Sequence, residues 1–320
     1  MTNVRHRTFG SYSGPQIIGS HRFPFDNSSS GHWERVLYLT SLVESGAKFG
    51  SITMYDGTAV TAGLHQAVAV YPKELASEDF YAENDQGALW SLLRKFELVP
   101  QLTPYSDLSS LLRENNWYIS QDGHLRYLED CSIKISNRRL IITAGSKVFG
   151  SDIRDRLTPL GGKVPRTGPR WDQSAKWAVC FHKLFSDPKT FDSQIEFGSS
   201  HFLTLANSRR LGGVTVNELL YEVDTITPSY DLSLAVFWSH SVNSPYTAFR
   251  ILSSCTDQID NPSKNQNSFS KLLLRRLAES TYGRWHWSIR NGRWSRTRRF
   301  ASTIWESSLF DKKGIMPSSL

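Results

Sequence analysis

Three cysteines in 320 residues, Cys131, Cys180 and Cys255, are too few and too widely spaced for a disulfide framework. The same spacing denies the chain a clustered thiolate zinc site. The nine histidines form no H-E-x-x-H or similar ligand cluster, so neither a metal nor another cofactor is expected. No G-x-G-x-x-G and no P-loop pattern occurs, and there is no internal repeat. A serine hydrolase is disfavoured as well, because FGSSHF at 197–202 lacks the closing glycine of a nucleophile elbow. No apolar run reaches the roughly 18–20 residues that span a bilayer, so no membrane span is expected. The opening MTNVRHRTFGSYSGPQ has no hydrophobic segment of the kind found in a cleaved leader. The expectation is synthesis in the cytoplasm without a signal peptide.

Apolar residues at 39% and aromatics at 12%, with 10 tryptophans, give a globular composition able to bury a large core. The length fits one large domain or two smaller ones. Lysine and arginine number 37 against 30 acidic residues, for a net charge of +7. That balance favours an anionic partner, either a cell-wall polymer or nucleic acid, and sits poorly with a polycationic one.

Residues 1–31 are rich in Ser, Gly and Arg without a period, and the pattern predicts a flexible lead-in. HWERVLYLTSLVES at 32–45 sets Trp33, Val36, Leu37 and Val43 at helical spacing. Segments 51–56 and 60–66 alternate around DGTA and predict a hairpin. Helices are expected at 84–99 and 106–116, the latter N-capped by Ser or Asp. Between 117 and 148, alternating apolar residues around Asp-Gly predict a β-rich insertion. LTPLGGKVPRTGPRW at 157–171 is a connector, followed by helical patterns at 172–186, 191–210, 214–223, 230–240, 245–257 and 268–280.

The most informative stretch is VESGAKFGSITMYDGTAVTAGLHQ at 43–66. Glycosidic bond cleavage needs one carboxyl that holds its proton for the leaving oxygen and another that stays ionised to activate water. Glu44 ends a helical pattern with Gly46 behind it as a stop signal. The negative end of a helix dipole and desolvation would both favour its protonated form. Asp56, in an Asp-Gly turn, has a polar and partly solvated setting that suits a base. Thr61 on the returning strand supplies a hydroxyl to position water.

Glu at a helix end, a hairpin, then Asp56-Gly57-Thr58-Ala59-Val60-Thr61-Ala62-Gly63 resembles the catalytic motif of the lysozyme superfamily. The nearest local likeness is to the chitosanase-like family 46 glycoside hydrolases, over about 30 residues. The resemblance implies a mainly α, α+β, two-lobed fold with a small β-hairpin lobe, to which the residues at about 100–170, outside the resemblance, add a β-rich insertion. It further implies Glu44 as general acid, Asp56 as general base and Thr61 as the water-orienting residue, acting with inversion. Whether Asp56 or another acid near the hairpin faces Glu44 stays open. Tyr55, Gly63 and Gln66 become candidate substrate contacts.

YGRWHWSIRNGRWSRTRRF at 282–300 interleaves tryptophan with arginine, and its Trp285 and Arg290 are candidate sugar contacts. The domain expectation is a catalytic body over 32–281 with a basic aromatic segment, 282–320, packed upon it. Positive charge beside a lysozyme-like site favours a peptidoglycan muramidase, released by lysis or carried by a phage or contractile injection particle. Its partner would be the peptidoglycan glycan strand, with nucleic acid as the lesser option. A chitosanase, and a non-catalytic lysozyme-fold component of such a particle, are the alternatives.

Overall fold

The computed structural model describes residues 2–9, 12–24, 32–55, 58–71, 86–136, 139–157, 164–208, 210–211, 214–215, 237–238, 245–260, 265, 268–269, 272–273 and 276. Over these residues the fold is α+β, with helices predominating and all sheets antiparallel. The chain divides into two units that interleave in sequence. One comprises residues 1–22 and 48–197, and the other residues 23–47 and 198–320.

The first unit is organised by a five-stranded sheet in sequential order. Its strands are β1 (Arg5–Phe9), β2 (Tyr12–Ile17), β3 (Ile52–Thr53), β4 (Thr61–Ala62) and β5 (Ala67–Val68). Within the lead-in expected to be irregular, β1 and β2 therefore form a hairpin, and β2 pairs with β3 through Gln16 opposite Thr53 and Ile17 opposite Ile52. Gly14 explains why this strand reads as a loop. A β-carbon there would lie 1.9 Å from the Met54 carbonyl oxygen, so close approach demands the residue that composition alone assigns to turns.

Helices cover this sheet. In α2 (Leu89–Glu97) the residues Leu89, Trp90, Leu92, Leu93 and Phe96 are buried, the spacing of a one-faced helix. Pro104 opens α3 (Pro104–Glu114), where its missing N–H costs nothing. Pro169 likewise opens α5 (Pro169–Phe185), which packs against β2, β3, β4 and α3. From α5, Trp177, Ala178, Phe181, Leu184 and Phe185 enter the core, each large side chain contributing about 1.5–3 kcal/mol of burial.

The predicted β-rich segment forms two hairpins, β6 (Trp117–Ile119) with β7 (Leu125–Tyr127), and β8 (Ser132–Ser136) with β9 (Arg139–Thr143). Helix α4 (Gly150–Leu157) follows and buries Ile153 and Leu157. The first hairpin is anchored at several points. Trp117 and Leu125 are buried, the Gln86 carboxamide donates to the Leu125 and Val148 carbonyls, and Tyr127 donates to the Asp152 carboxylate. Burial and that hydrogen bond push the Tyr127 phenol up to about 12.

In the second unit α1 (His32–Glu44) buries Val36, Leu37, Thr40 and Ser41. The Phe23 and Tyr38 rings meet tilted at 45°, with 5.8 Å between centroids. Helix α6 (Phe191–Ser208) supplies residues to both units, and α7 (Pro245–Thr256) buries Phe249, Leu252 and Cys255. Segment 214–223, expected as helix, begins instead as β11 (Val214–Thr215), paired with β10 (Arg210–Leu211). Two consecutive β-branched residues favour that outcome. The remainder of 214–223, most of 230–240 and parts of 268–280 lie outside the described residues, as does the whole of 282–320.

Candidate functional site

Glu44 is the last residue of α1 and is half-buried. The chain turns sharply behind it, with Gly46 at φ +69° and Ala47 at φ +56°. Three groups converge on the Ser41 carbonyl: the Ser45 amide at 2.9 Å, the Ser45 hydroxyl at 3.2 Å and the Ala47 amide at 2.9 Å. A helix end whose carbonyls would otherwise lack partners is closed in this way. The helix stop expected from Gly46 is present at that point.

The sheet that follows differs from the single hairpin expected for 51–66. Strands β3 and β4 have two residues each, and the chain turns again at 63–66 into β5, making a three-stranded meander. Two non-glycine residues take left-handed backbone there, Ala59 at φ +64° and Gln66 at φ +52°. Such conformations cost roughly 1–2 kcal/mol per residue and persist only where the surroundings impose them.

Those surroundings are visible. Gly63, at φ +82°, sits where a β-carbon would come within 2.6 Å of both Gln194 Oε1 and the Phe185 ring. Gln194, only 1% exposed, accepts from the Leu64 amide at 3.1 Å. Its nitrogen donates to the Phe185 carbonyl and the Thr190 hydroxyl, each at 3.0 Å. Trp90 donates to the Ala69 carbonyl at 2.8 Å and fixes the far end of the meander. Sequence reasoning missed Gln194. Its only signal is a polar side chain three residues after Phe191, on the apolar side of α6.

Thr61 lies on the middle strand, opposite Thr53 on one side and Val68 on the other. It is 7% exposed, and its hydroxyl donates to the Thr53 carbonyl at 3.3 Å. The half-buried Tyr55 receives a hydrogen bond from Gln16 at 3.4 Å on its hydroxyl. Gln66, expected as a substrate contact, turns its carboxamide nitrogen back onto the Gly63 carbonyl at 2.9 Å and the Ser51 carbonyl at 3.4 Å. It acts as a clip within its own turn. Gly63 is likewise packed closely, against Gln194 and Phe185.

Tyr55, Thr61, Gly63 and Gln66 thus share one meander in the first unit, while Glu44 belongs to the second. Asp56, Trp285 and Arg290 lie outside the described residues. The loop joining Glu44 to β3 is tied down by His182, whose Nδ1 donates to the Gly50 carbonyl at 2.7 Å with the Ser186 hydroxyl 3.3 Å away.

A separate groove of about 470 Å³ runs between α3 and α5. Leu111, Val179 and Cys180 form its floor, and ion pairs Lys176–Glu114 at 3.0 Å and Lys183–Asp107 at 3.5 Å bridge it. Burial pushes the Cys180 thiol up to about 12, which makes it an inert packing group. Among the described residues no group of three or more His, Cys, Asp or Glu is placed to hold a metal ion. No helix among them is long and apolar enough to cross a membrane.

No protein-family model, no curated protein and no solved structure matches this chain.

Proposed function

We infer that the chain is a glycoside hydrolase of lysozyme-like, two-lobed organisation that cleaves β-1,4 bonds of bacterial peptidoglycan. One observation carries the reading: α1 ends at Glu44 and leads, through a loop tied by His182, into an antiparallel meander with Thr61 on its middle strand. The motif resemblance expects a helix-end Glu and then a hairpin bearing Thr61, and the helix end followed by a strand bearing Thr61 supports the reading, with a meander in place of the single hairpin. The left-handed Ala59 and Gln66 in the same meander support it, since imposed backbone strain gathers at functional sites.

In this reading Glu44 donates its proton to the glycosidic oxygen as the bond to the anomeric carbon breaks. A carboxylate of the hairpin, Asp56 or a neighbouring acid, takes a proton from water attacking the opposite face. Thr61 orients that water, and the configuration inverts. The +7 charge supports an acidic wall polymer over chitosan as substrate. Delivery by lysis or by a phage-like particle belongs to the same proposal.

A non-catalytic wall-binding role has its own support, because the Thr61 and Gln66 side chains both bond to backbone. Mass analysis of products from purified peptidoglycan and from chitosan, run side by side, separates the readings. Fragments with muramic acid at the reducing end support a muramidase. Glucosamine oligomers alone replace it with a chitosanase, and wall binding without any product replaces it with the binding role.

A further inference from the structure

The five-stranded sheet has two unlike faces, and one of them extends from Thr61 to the edge strand β1. Residues directly opposite one another on antiparallel strands point to the same side. Arg5 lies opposite Gln16, Gln16 opposite Thr53, and Thr53 opposite Thr61. These four share one face with Arg7, which is two residues along β1 from Arg5. The other face carries His6, Ile17, Ile52 and Ala62. Helix α5 covers it, with the Trp171 ring 5.6 Å from that of His6.

Hydrogen bonds join the polar face into one strip. Arg7 Nε donates to Gln16 Oε1 at 2.9 Å, and Gln16 Nε2 donates to the Tyr55 hydroxyl at 3.4 Å. The first bond orients the Arg7 guanidinium and leaves its two terminal nitrogens as a fork, the group that takes a carboxylate in bidentate fashion. Arg5 stands about 6.6 Å away along the strand. Both arginines are exposed, and among the described residues neither forms an ion pair. Gln16 and Tyr55 are half-buried, which holds them in place and leaves part of each side chain to a ligand.

Charge and distance identify the ligand. Residues 1–25 and 46–71, which hold the whole sheet, contain Arg5, Arg7, Arg22 and Lys48 against Asp56 alone. Asp56 is the hairpin acid of the proposed reaction, so the β1 end of the strip carries only positive charge. A second copy of the chain would set arginine against arginine. Nucleic acid presents phosphates without a break, and two guanidinium groups neutralise too few of them. A glycan strand with carboxylates on its substituents meets both kinds of group, carboxylates at the arginines and hydroxyls at Gln16 and Tyr55. At about 4.8 Å per strand, β1 lies about 14 Å from β4, a span that an extended strand covers and a single sugar does not.

We propose that Arg5 and Arg7, backed by Gln16 and Tyr55, form a carboxylate-recognising subsite that takes an anionic glycan strand along the polar face of the sheet. The assignment rests on the hydrolase reading for the nature of the ligand, and not for its cleavage.

Pelleting of the full chain with purified peptidoglycan, native and after conversion of its carboxylates to amides, tests the subsite. Clearing of the same walls is read in parallel. Wild type should pellet with native wall and about tenfold or more weakly with amidated wall. Arg7→Gln should lose about tenfold on native wall, the scale of one charge-assisted contact, and match wild type on amidated wall. Arg22→Gln removes the same charge away from the strip and should stay within about twofold of wild type. Circular dichroism and the melting midpoint should match wild type in both variants, since both positions are exposed. Arg7→Gln pelleting as well as wild type overturns the subsite, and so does an equal loss in Arg22→Gln, which would report bulk charge. Wild type that pellets equally with both walls, or with neither, overturns it as well. Arg7-dependent pelleting without clearing leaves the subsite standing and removes the hydrolase reading alone.

Discussion

The β3–β5 meander and the β8–β9 hairpin are small antiparallel elements of the same unit, built on opposite terms. In the meander, Ile52, Ala62, Leu64 and Ala69 are at most 1% exposed, and Gln194 and Trp90 hold its turns from neighbouring helices. In the hairpin Ile135 stands in solvent. The contrast teaches how each can act. An element fixed by buried hydrogen bonds holds a reacting group in place, and one whose Ile135 stands in water is held less closely at that position.

The sharpest way to break the comparison is Gly63→Val. It adds a side chain at φ +82° against Gln194 and Phe185 and should destabilise the fold by about 2–5 kcal/mol in urea unfolding. A cost under 1 kcal/mol would mean that the meander is not rigidly held. Gln194→Leu comes next. It strips a partner from the Leu64 amide, the Phe185 carbonyl and the Thr190 hydroxyl, with an expected loss of about 2–3 kcal/mol.

Smaller effects belong to the hairpins. Asp122, beside the β6–β7 hairpin, receives hydrogen bonds from Arg126 and Ser120, and these hold its carboxyl well below the usual range, with Arg126 the larger cause. A depressed native value means stability present above the unfolded value of about 3.9 and lost as pH falls below it. The Asp122 side chain is 50% exposed, so solvent screening limits Asp122→Asn to about 0.5 kcal/mol at pH 7. The difference in urea midpoints between the two proteins should shrink between pH 4 and pH 2. Ile135→Ser should be the mildest, within about 0.5 kcal/mol of wild type, because it removes a side chain already in water. A larger loss would show that the hairpin face is packed in the isolated chain.

The same contrast explains what was legible in the sequence. Helices α1, α3 and α5 show their buried faces as period, and Pro104, Pro169 and Gly46 mark ends that physics would place there. The β8–β9 alternation was equally open to reading, since the two-residue period stands in the sequence itself. The β1–β2 hairpin was not, because Gly14 and Pro15 sit in a central strand for reasons of close approach to Met54. The turn at 63–66 was hidden for a related reason. Gln66 takes a glycine-like conformation and is stabilised by its own side chain, which local propensity does not encode. Of the candidate site, the helix-end Glu44 and the strand position of Thr61 were readable from spacing. Gln194, 130 residues beyond Leu64, was legible only in three dimensions.

Glu44 is where the account is most directly exposed. Clearing of purified bacterial cell walls should be followed for wild type and Glu44→Gln, with circular dichroism confirming that both are folded. The account predicts clearing by wild type and a loss of about 10²–10⁴-fold in the variant, the scale of a general acid. Equal clearing by the two proteins, or none by either, would contradict it.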